Sequence, residues 1–537
     1  MVETKKNYNI LNDCRGMYEE EIIDTLLESR GIDDPDSFLH PTEEYMLPLD
    51  SMTYIGVAAE RVDQAIKNDE WVGVLWDTDL DGVSSGTIIT RYLQNFLTTK
   101  MNTYIDYGKK HGLKGQDLKK FEMLDLLIIV DSLDNSVEQY KKLAEAGVDI
   151  IILDHHAIKP EIPYDDYAIL VSSQRDYDNP ALSGAGVTWK FCKYLDKRYS
   201  MSYADELMDL AACGLVADMV DMTVMENRYI VYKGLQKIYN PAVKKIVGSF
   251  PFNSTAISFS IAPLVNAANR IGKNEDAMSA FMADENKEVL KYVKVLKSCK
   301  EQQNEEIERL LPDVIAQCDL QSDKKMVYAF IDTKFGIAGL LANKLLEKYQ
   351  KPILVLKNVE DTYSGSMRAV GVDDFRKICN DSGLAQADGH ELASGIKIEK
   401  SNFDDFIFYI EDNLPELSTE TTITVDAQID VSDITRKLID GVKELDFVSG
   451  TGFKQFRFFV DGIDEYEIGQ MSDYKHLVVK PNDFLQFIKW NFNGSFDYME
   501  DHSMMGDELE AVVTLDSGWL GRKFVLKAVC DSIEEVD

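Results

Sequence analysis

The sequence has little positive charge: 57 Lys and Arg stand against 93 Asp and Glu, a formal net charge of −36 over 537 residues. A broad basic surface for nucleic acid is therefore not expected, because such a surface requires an excess of Lys and Arg. Wholesale disorder is excluded as well, since 45% of the residues are hydrophobic and can form a core. A polyanionic partner would need a local basic lining or bound cations.

Cysteine pairs and long apolar runs are also missing. The 7 cysteines lie far apart and form no CxxC pair, so no disulfide framework is expected. The N-terminus contains no apolar run of the signal-peptide type, and no stretch approaches the roughly 18 apolar residues of a membrane span. We therefore expect a cytoplasmic protein that does not associate with membranes.

What the sequence does contain is an alternation of short β-branched runs and amphipathic segments in its first half. This alternation predicts an α/β fold built on a parallel sheet, with ligands bound beyond the carboxyl ends of the strands. The predicted strands are WVGVLW at 71–76, LLIIV at 126–130 and DIIIL at 149–153. The predicted helices are 57–68, 84–97, 136–146 and 184–198.

The remainder of the chain changes character twice. A long charged helical pattern leads into a second, smaller α/β pattern, and short alternating segments then predict an all-β region, most simply a small barrel. The length agrees with several domains. The predicted units are an N-terminal extension (1–50), a parallel-sheet α/β domain (51–285), a connecting helix (286–320), a smaller α/β domain (321–415) and a C-terminal barrel (416–537).

Three carboxylates follow the first predicted strand at alternate positions, in Asp77, Asp79 and Asp81. Like charges at this spacing repel one another, and a divalent cation is the simplest way to neutralise them. A solvated acidic turn or a calcium loop is the alternative for this hexapeptide on its own. Ser84 and Ser85 follow where the next helix should begin, as candidates for N-caps or phosphate contacts.

The next two predicted strands also end in potential metal ligands. Asp131 follows LLIIV, and His155 and His156 follow DIIIL, although the whole chain has only 7 histidines. Asp218 lies in a nearly uncharged apolar stretch, where an unpaired carboxylate would be costly to bury. Together these residues supply enough oxygen and nitrogen ligands for two adjacent ions of the Mn²⁺ or Mg²⁺ class.

With these motifs in place, the sequence resembles the DHH phosphoesterase superfamily and, within it, the RecJ-like single-strand-specific exonucleases. The resemblance is collinear over nearly the whole chain. The matching motifs are FLHP at 38–41, DTDLDG at 77–82, VD at 130–131, DHH at 154–156, LSGAGVTWKF at 182–191, ACGLVADMVDM at 212–222, PLVNAANR at 263–270, SGSMR at 364–368 and DGHELASG at 388–395.

The resemblance implies roles for individual residues. Asp79, Asp131, His155 and His156 would be catalytic, with Asp131 bridging two ions and His156 facing the scissile phosphate or completing the coordination. The implied metal ligands are Asp77, Asp79, Asp81, Asp131, His155 and Asp218. The implied substrate-binding residues are Arg270, Ser366, Arg368, Gly389, His390 and Lys109.

Two of these motifs depart from the family pattern. Asp388 replaces the first glycine of a glycine-glycine-histidine motif, which puts a carboxylate beside a phosphate-binding residue. Lys109 and Lys110 stand where the family offers an arginine, and a lysine is not a bidentate phosphate fork. The sequence nevertheless predicts a positive cleft lined by Arg270, Arg368 and these two lysines within an acidic exterior.

The C-terminal barrel resembles an OB-fold domain, a fold that binds single strands with aromatic platforms. Phe487, Trp490 and Phe492 are candidates for base stacking, although packing in the barrel core is expected for at least half of them. The implied partners are single-stranded DNA and a single-strand-binding protein or a recruiting repair factor, with the enzyme itself a monomer.

The implied activity is a metal-dependent 5′→3′ hydrolysis of single-stranded DNA to mononucleotides in DNA repair or recombination. One alternative is a phosphodiesterase for short oligoribonucleotides or cyclic dinucleotides. The N-terminal extension and the barrel argue against it, because such relatives resemble only the middle of this chain. A second alternative is an inactive replication scaffold of the same fold, and the complete ligand set argues against that.

Overall fold

The computed structural model describes most of the chain. The described residues are 6–97, 100–105, 111–416, 421–464, 466–471, 475–490, 492, 496, 499, 503, 507–520 and 523–535. The N-terminal extension contains strand β1 (Lys6–Ile10), helix α1 (Glu19–Ser29) and helix α2 (Pro35–Leu39). Acidic residues fill the first turn of α1, where they favour the positive end of the helix dipole.

The first α/β unit has a five-stranded parallel sheet in the order β3-β2-β4-β5-β6. Its central strands β2 and β4 are buried along their whole length, as expected for a sheet covered by helices on both faces. Its elements are α3 (Ile55–Asn68), β2 (Val72–Trp76), α4 (Leu80–Gln94), β3 (Met101–Ile105), β4 (Leu126–Val130), α5 (Val137–Glu145), β5 (Asp149–Asp154), β6 (Ile169–Ser172) and α6 (Gly184–Tyr199).

A helical region follows the first α/β unit. A π-helical turn at Ile257–Ile261 joins its fourth and fifth helices. The helices are α7 (Met208–Ala217), α8 (Met225–Leu235), α9 (Pro241–Val247), α10 (Ser254–Ala256), α11 (Ala262–Ile271), α12 (Asn274–Met282) and α13 (Asn286–Asp319).

Helix α13 covers most of the segment predicted to connect two domains, and it contributes side chains to two separate cores. In its first half, Val293 and Leu296 pack into the core of the first α/β unit. In its second half, Leu310 and Val314 pack against the second α/β unit. The helix therefore sets the spacing between the two units.

The second α/β unit has a mixed sheet in the order β10-β11-β9-β8-β7, in which only β7 and β8 run parallel. Ser366 and Arg368 lie on β9, and Gly389 and His390 end β10. The elements are β7 (Val327–Phe330), α14 (Ala338–Tyr349), β8 (Ile353–Val359), β9 (Thr362–Arg368), α15 (Phe375–Asp381), β10 (Ala385–His390), β11 (Ala393–Glu399) and α16 (Phe403–Asn413).

The C-terminal region contains a seven-stranded sheet in the order β13-β14-β18-β19-β17-β16-β15. Among the described residues its end strands do not pair with each other, so closure into an OB-type barrel stays a prediction. Helix α17 packs on β18 and was not predicted from the sequence. The elements are β12 (Thr421–Val425), β13 (Ala427–Asp430), α17 (Arg436–Leu445), β14 (Phe458–Ile463), β15 (Glu467–Met471), β16 (His476–Lys480), β17 (Leu485–Lys489), β18 (Leu509–Leu520) and β19 (Lys523–Glu535).

The N-terminal extension is fastened to this C-terminal region. Strand β1 pairs in parallel with β12. Arg30 lies 2.9 Å from the Asp426 carboxylate and stacks over the Phe456 ring at 3.6 Å. Arg228 of α8 is buried and donates to the carbonyl of Val448 at 3.0 Å. The predicted domain boundaries stay a prediction, but one hydrophobic core runs through the extension, the first α/β unit and the C-terminal sheet.

All seven cysteines are buried and none forms a disulfide. Within the described part of the chain, no helix is both long and apolar enough to cross a bilayer.

Candidate metal centre and the neighbouring arginines

Three carboxylates meet at one edge of the parallel sheet because the strands that carry them are in register. Trp76, Val130 and Leu153 are aligned neighbours on β2, β4 and β5, so the residues that follow them lie side by side. These are Asp77, Asp131 and Asp154. The prediction that successive strands deliver acidic residues to the same edge is confirmed.

The backbone at this edge is tightly constrained. Asp131 has a left-handed backbone with φ of 52°, a conformation that Asp tolerates better than most residues. A Cβ at Gly184, the first residue of α6, would lie 2.6 Å from Asp131 Oδ1. A Cβ at Gly82 would lie 2.5 Å from the Asp77 Cβ. Glycine is required at both positions because helices α4 and α6 approach the carboxylates so closely.

Helix α4 begins earlier than the sequence suggested. Asp79 is its N-cap and accepts from Gly82 N at 3.1 Å. Ser84 and Ser85 therefore lie inside the helix and are buried, and Ser85 Oγ donates to the Asp81 carbonyl at 2.8 Å. The expectation that these serines cap the helix or contact phosphate is wrong.

Asp81 is buried beneath the N-terminus of α6. Its carboxylate accepts from Ser183 Oγ at 2.9 Å, from Gly184 N at 2.8 Å and from Ala185 N at 3.0 Å. These hydrogen bonds complete the first turn of α6, whose amide groups would otherwise lack acceptors. Asp81 Oδ2 also lies 3.8 Å from His155 Nε2.

The two adjacent histidines have different surroundings. His155 Nε2 lies 3.1 Å from Asp131 Oδ1, and its Nδ1 lies 3.5 Å from Asp218 Oδ2. His156 Nδ1 lies 2.8 Å from Asp154 Oδ1. The second Asp154 oxygen accepts from Leu133 N at 2.7 Å. Asp154 therefore orients His156, a role that the sequence analysis did not assign.

The pKa values in this cluster reflect crowded negative charge. Desolvation and the neighbouring Asp77 and Asp81 raise the pKa of Asp79 to about 7. Desolvation and Asp79 raise the pKa of Asp218 to about 7. Desolvation and the charges of four nearby carboxylates raise the pKa of Asp131 well above its usual value. These shifts reflect burial of the carboxylates and their mutual repulsion.

The donor set fits divalent cations. Three groups of side chains have ligand atoms within 4.8 Å of one another, and they share members: Asp131 and His155 each belong to two groups. Asp77 Oδ1 and Asp131 Oδ1 are buried and, among the described residues, accept no hydrogen bond. Buried carboxylate oxygens without donors are suited to a cation. The groups are Asp77, Asp79 and Asp131; Asp131, His155 and His156; and Asp81, His155 and Asp218.

Residues of the second α/β unit come close to the metal centre and to Arg270. His390 is close enough to Asp218 for its charge to oppose, in small part, the rise in the Asp218 pKa. Gly336 N donates to the Arg270 carbonyl at 3.0 Å and so joins the two units. Arg368 Nε donates to Asn343 Oδ1 at 2.7 Å. Desolvation lowers the pKa of Arg270, and the charge of Arg368 lowers it further. Two guanidinium groups thus lie near each other where the two α/β units meet.

Of the other predicted substrate-binding residues, Ser366 lies close to Arg368. A Cβ on Gly339, at the start of α14, would lie 2.9 Å from Arg368 Nη2 and 3.4 Å from Ser366 Oγ. Gly389 has φ of 132°, which suits glycine, and the Asp388 side chain is exposed. Lys109 and Lys110 lie outside the described residues.

Comparisons with known proteins agree with this arrangement. Residues 71–215 match the N-terminal domain of the DHH family. This matched segment contains the parallel sheet and the strand ends that carry the acidic residues. It is 28% identical over 481 residues to the putative SPbeta prophage-derived single-strand DNA-specific exonuclease YorK of Bacillus subtilis, covering 81% of this chain and 82% of that protein.

Two RecJ proteins are also similar. The single-stranded-DNA-specific exonuclease RecJ of Bacillus subtilis is 27% identical over 460 residues, and the match covers 80% of this chain and 57% of that protein. The crystal structure of Thermus thermophilus RecJ in complex with Mn²⁺ matches with a TM-score of 0.80 at 19% identity, over 100% of this chain and 80% of that chain. The structural match shows that the fold is shared.

Three residues at the centre were missed as contributors. His111 Nδ1 lies 3.1 Å from Asp77 Oδ1. Asn269 Nδ2 donates to Thr78 Oγ1 at 2.7 Å, and the buried Gln303 accepts from Arg270 at 3.3 Å. His111 could have been noticed in the sequence, because histidine is rare in this chain and His111 directly follows Lys109 and Lys110, where the sequence departs from the family pattern. The other two left none.

The aromatic residues of the C-terminal sheet separate into two groups. Phe487 is fully buried in the core and Phe492 is partly buried against it. Trp490 is 46% exposed and packs edge-on against His476 with ring centroids 4.8 Å apart. Core packing therefore accounts for Phe487, and Trp490 is the most exposed candidate for base stacking.

Proposed function

We propose that this protein is a metal-dependent 5′→3′ exonuclease that hydrolyses single-stranded DNA to 5′-mononucleotides. The observation that carries the proposal is the set of ligand groups sharing Asp131 and His155. The neighbouring guanidinium groups of Arg270 and Arg368, where the two α/β units meet, add to it. A cation cluster facing fixed anion-binding groups is suited to holding a phosphodiester between them. Relatives named as single-strand DNA-specific exonucleases support the choice of substrate.

We assign the metal-binding role to the acidic cluster, with Asp131 as the bridge. When bound, two Mn²⁺ or Mg²⁺ ions supply Lewis acidity and a water acidified toward neutral pH. The fit rests on buried oxygens without donors and on the ligand groups described above. The assigned ligands are Asp77, Asp79, Asp81, Asp131, His155 and Asp218.

The chain's own groups would position the substrate. His156, oriented by Asp154 at 2.8 Å, is directed to donate a hydrogen bond to a phosphate oxygen. Arg368 would bind a terminal phosphate as a bidentate fork, with Ser366 and His390 beside it. Arg270, held by Gln303, would neutralise the charge that develops on the phosphate.

The biological setting is a further part of the proposal. We infer a role in DNA repair or recombination, with a single-strand-binding protein or another repair factor recruiting a monomeric, cytoplasmic enzyme. The excess of acidic residues agrees with recruitment, because a chain with a formal net charge of −36 disfavours nonspecific adhesion to DNA. Lys109 and Lys110 stay predicted members of the substrate path.

One experiment tests the substrate class. The protein is incubated with Mn²⁺ and 5′-labelled long single-stranded DNA, duplex DNA, two-to-five-residue RNA and cyclic dinucleotides. We expect rapid release of mononucleotides from the long single strand alone. Preference for short RNA or cyclic dinucleotides would favour the alternative phosphodiesterase, and inactivity on all four would favour a scaffold.

A pair of variants tests the metal assignment. Asp131→Ala should abolish hydrolysis, since it removes the oxygen shared by two ligand groups. Asp149→Ala is the matched control. Asp149 is the first residue of β5, at the end of the sheet away from Asp131. It is 62% exposed and pairs with Arg61 at 2.6 Å. Hydrolysis should survive this change. Full activity of Asp131→Ala would show that the bridging assignment is wrong.

A further inference from the structure

His111 lies at the Asp77 side of the metal centre. Its Nδ1 is 3.1 Å from Asp77 Oδ1, and its side chain is 48% exposed. Its ring centroid is 5.9 Å from that of His156. Three imidazoles therefore border the acidic cluster, although the family resemblance assigns a role to only two.

The backbone beside His111 is fixed to the segment that carries Asp131. Gly112 N donates to Ser132 Oγ at 2.6 Å, and Lys114 N donates to Asp134 Oδ2 at 2.7 Å. Gly112 has φ of +62°, and a Cβ there would lie 2.5 Å from the Ser132 carbonyl oxygen. The imidazole is thus anchored by the same strand end that delivers Asp131.

The distance between the imidazole and the carboxylate matches two ligands of one cation. Ligands at about 2.1 Å in neighbouring octahedral positions are about 3.0 Å apart. The His111–Asp77 separation is 3.1 Å, the same as that between His155 Nε2 and Asp131 Oδ1. In both pairs the carboxylate oxygen is buried and, within the described chain, accepts no hydrogen bond.

We propose that His111 is a ligand of the ion held by Asp77, Asp79 and Asp131. Each of the two ions would then have one imidazole, from His155 or from His111. The inference rests on the metal centre of the proposed function. Imidazole suits Mn²⁺ and later transition ions better than Mg²⁺, which is bound mainly by oxygen. His111 therefore biases one of the two sites toward Mn²⁺.

The test measures metal binding in the absence of DNA. The full chain is titrated with Mn²⁺, and free Mn²⁺ is followed by electron paramagnetic resonance. We expect the wild-type protein to bind two ions and His111→Ala to bind one of them at least about 10-fold more weakly, the lower end of losses seen for ligand-supporting groups. An unchanged Mn²⁺ isotherm for His111→Ala would overturn the inference.

His40→Ala is the matched control. His40 Nε2 lies 3.3 Å from Glu444 Oε1, and its side chain is 51% exposed. The change therefore also breaks a histidine–carboxylate pair, but neither residue of this pair belongs to a ligand group. Its Mn²⁺ isotherm should equal that of the wild type. A loss of affinity in this variant equal to that of His111→Ala would contradict a specific role for His111.

His111→Gln separates coordination from simple hydrogen bonding and carries the test if the alanine variant fails to fold. A glutamine can donate a hydrogen bond to Asp77 but offers no ring nitrogen, so retention of the wild-type preference for Mn²⁺ over Mg²⁺ would show that His111 does not coordinate the ion. We expect this preference to fall about 10-fold in competition titrations, because an amide oxygen replaces a nitrogen ligand. Pulsed electron paramagnetic resonance should detect an imidazole nitrogen bound to both Mn²⁺ ions in the wild type and to only one ion in His111→Gln.

The outcomes separate this inference from the proposed function. A wild-type protein that binds two Mn²⁺ ions with His111 but leaves single-stranded DNA intact would contradict the exonuclease alone. Degradation of DNA together with unchanged Mn²⁺ binding in His111→Ala would contradict the ligand role alone. A wild-type protein that binds no Mn²⁺ would contradict both.

Discussion

Asn269 donates a hydrogen bond from Nδ2 to Thr78 Oγ1 at 2.7 Å. Thr78 lies between two candidate metal ligands, Asp77 and Asp79, and Asn269 directly precedes Arg270. The end of α11 therefore connects the loop that holds the cations to the group expected to bind the phosphate. A change in the Asp77–Asp79 loop should therefore affect the end of α11, and the reverse.

We expect Asn269→Ala to weaken Mn²⁺ binding by about 10-fold, in the range of losses for groups that orient metal ligands. The reason is that Thr78 loses the hydrogen bond from α11 and the loop carrying Asp77 and Asp79 becomes less ordered. Calorimetric titration with Mn²⁺ measures the effect. Asn343→Ala is the control, because Asn343 contacts Arg368 and should alter substrate affinity without altering Mn²⁺ affinity.

Gln303 should position Arg270 for substrate without affecting the metals. Its side chain is fully buried, and its Oε1 accepts from Arg270 Nη1 at 3.3 Å. We expect Gln303→Leu to raise KM for single-stranded DNA about 10-fold, equivalent to about 1.4 kcal/mol, and to leave Mn²⁺ affinity unchanged. Gln302→Leu changes the exposed neighbour, which contacts Ser298 at 3.2 Å, and should have no effect on KM. A loss of Mn²⁺ binding in Gln303→Leu would assign this residue to the metal centre instead.

Trp490 should stack with a base of the bound strand. Stacking on an aromatic side chain contributes about 1–3 kcal/mol per base, so Trp490→Ala should weaken binding of a long single strand about 10-fold. Fluorescence anisotropy with labelled DNA measures this. Phe484→Ala is the control, since Phe484 is 67% exposed at the other end of β17. Equal losses in both variants would contradict a specific platform at Trp490.

Asp446 should make stability depend on pH. It is 6% exposed and accepts from Phe456 N at 3.2 Å, and desolvation raises its pKa to about 7. Between its unfolded pKa of about 3.9 and this value, the folded protein holds a proton that the unfolded chain releases. Asp446 therefore destabilises the fold progressively as pH rises from about 4 to about 7.

We expect Asp446→Asn to remove this dependence. Its Tm should exceed that of the wild type at pH 8, by the equivalent of roughly 2–4 kcal/mol, and the difference should shrink toward pH 4. Scanning calorimetry across this range measures it. Asp440→Asn, at a 58% exposed carboxylate of the helix that ends directly before Asp446, should follow the wild type at every pH. A Tm difference for Asp446→Asn that does not vary with pH would show that Asp446 does not titrate in this range.

Much of the fold followed from local patterns. The buried strands β2, β4 and β5 were predicted because short β-branched runs with turn residues on either side are typical of a parallel sheet. Helix α17 was missed because short alternating segments surround it, although its Thr435 N-cap accepts from Leu438 N at 3.1 Å. The pairing of β1 with β12 was missed because it joins segments some 400 residues apart.

The candidate site divides in the same way. The sequence by itself determined the types of ligand at the strand ends, because parallel strands must deliver their following residues to one edge. Only the tertiary structure brought His111 to Asp77, Asn269 to Thr78 and Gln303 to Arg270. These contacts join separate loops and helices, and they depend on how the chain packs as a whole. The scarcity of positive charge argued against a broad nucleic-acid surface. It is compatible with binding of a DNA phosphate at a local site formed by Arg270 and Arg368.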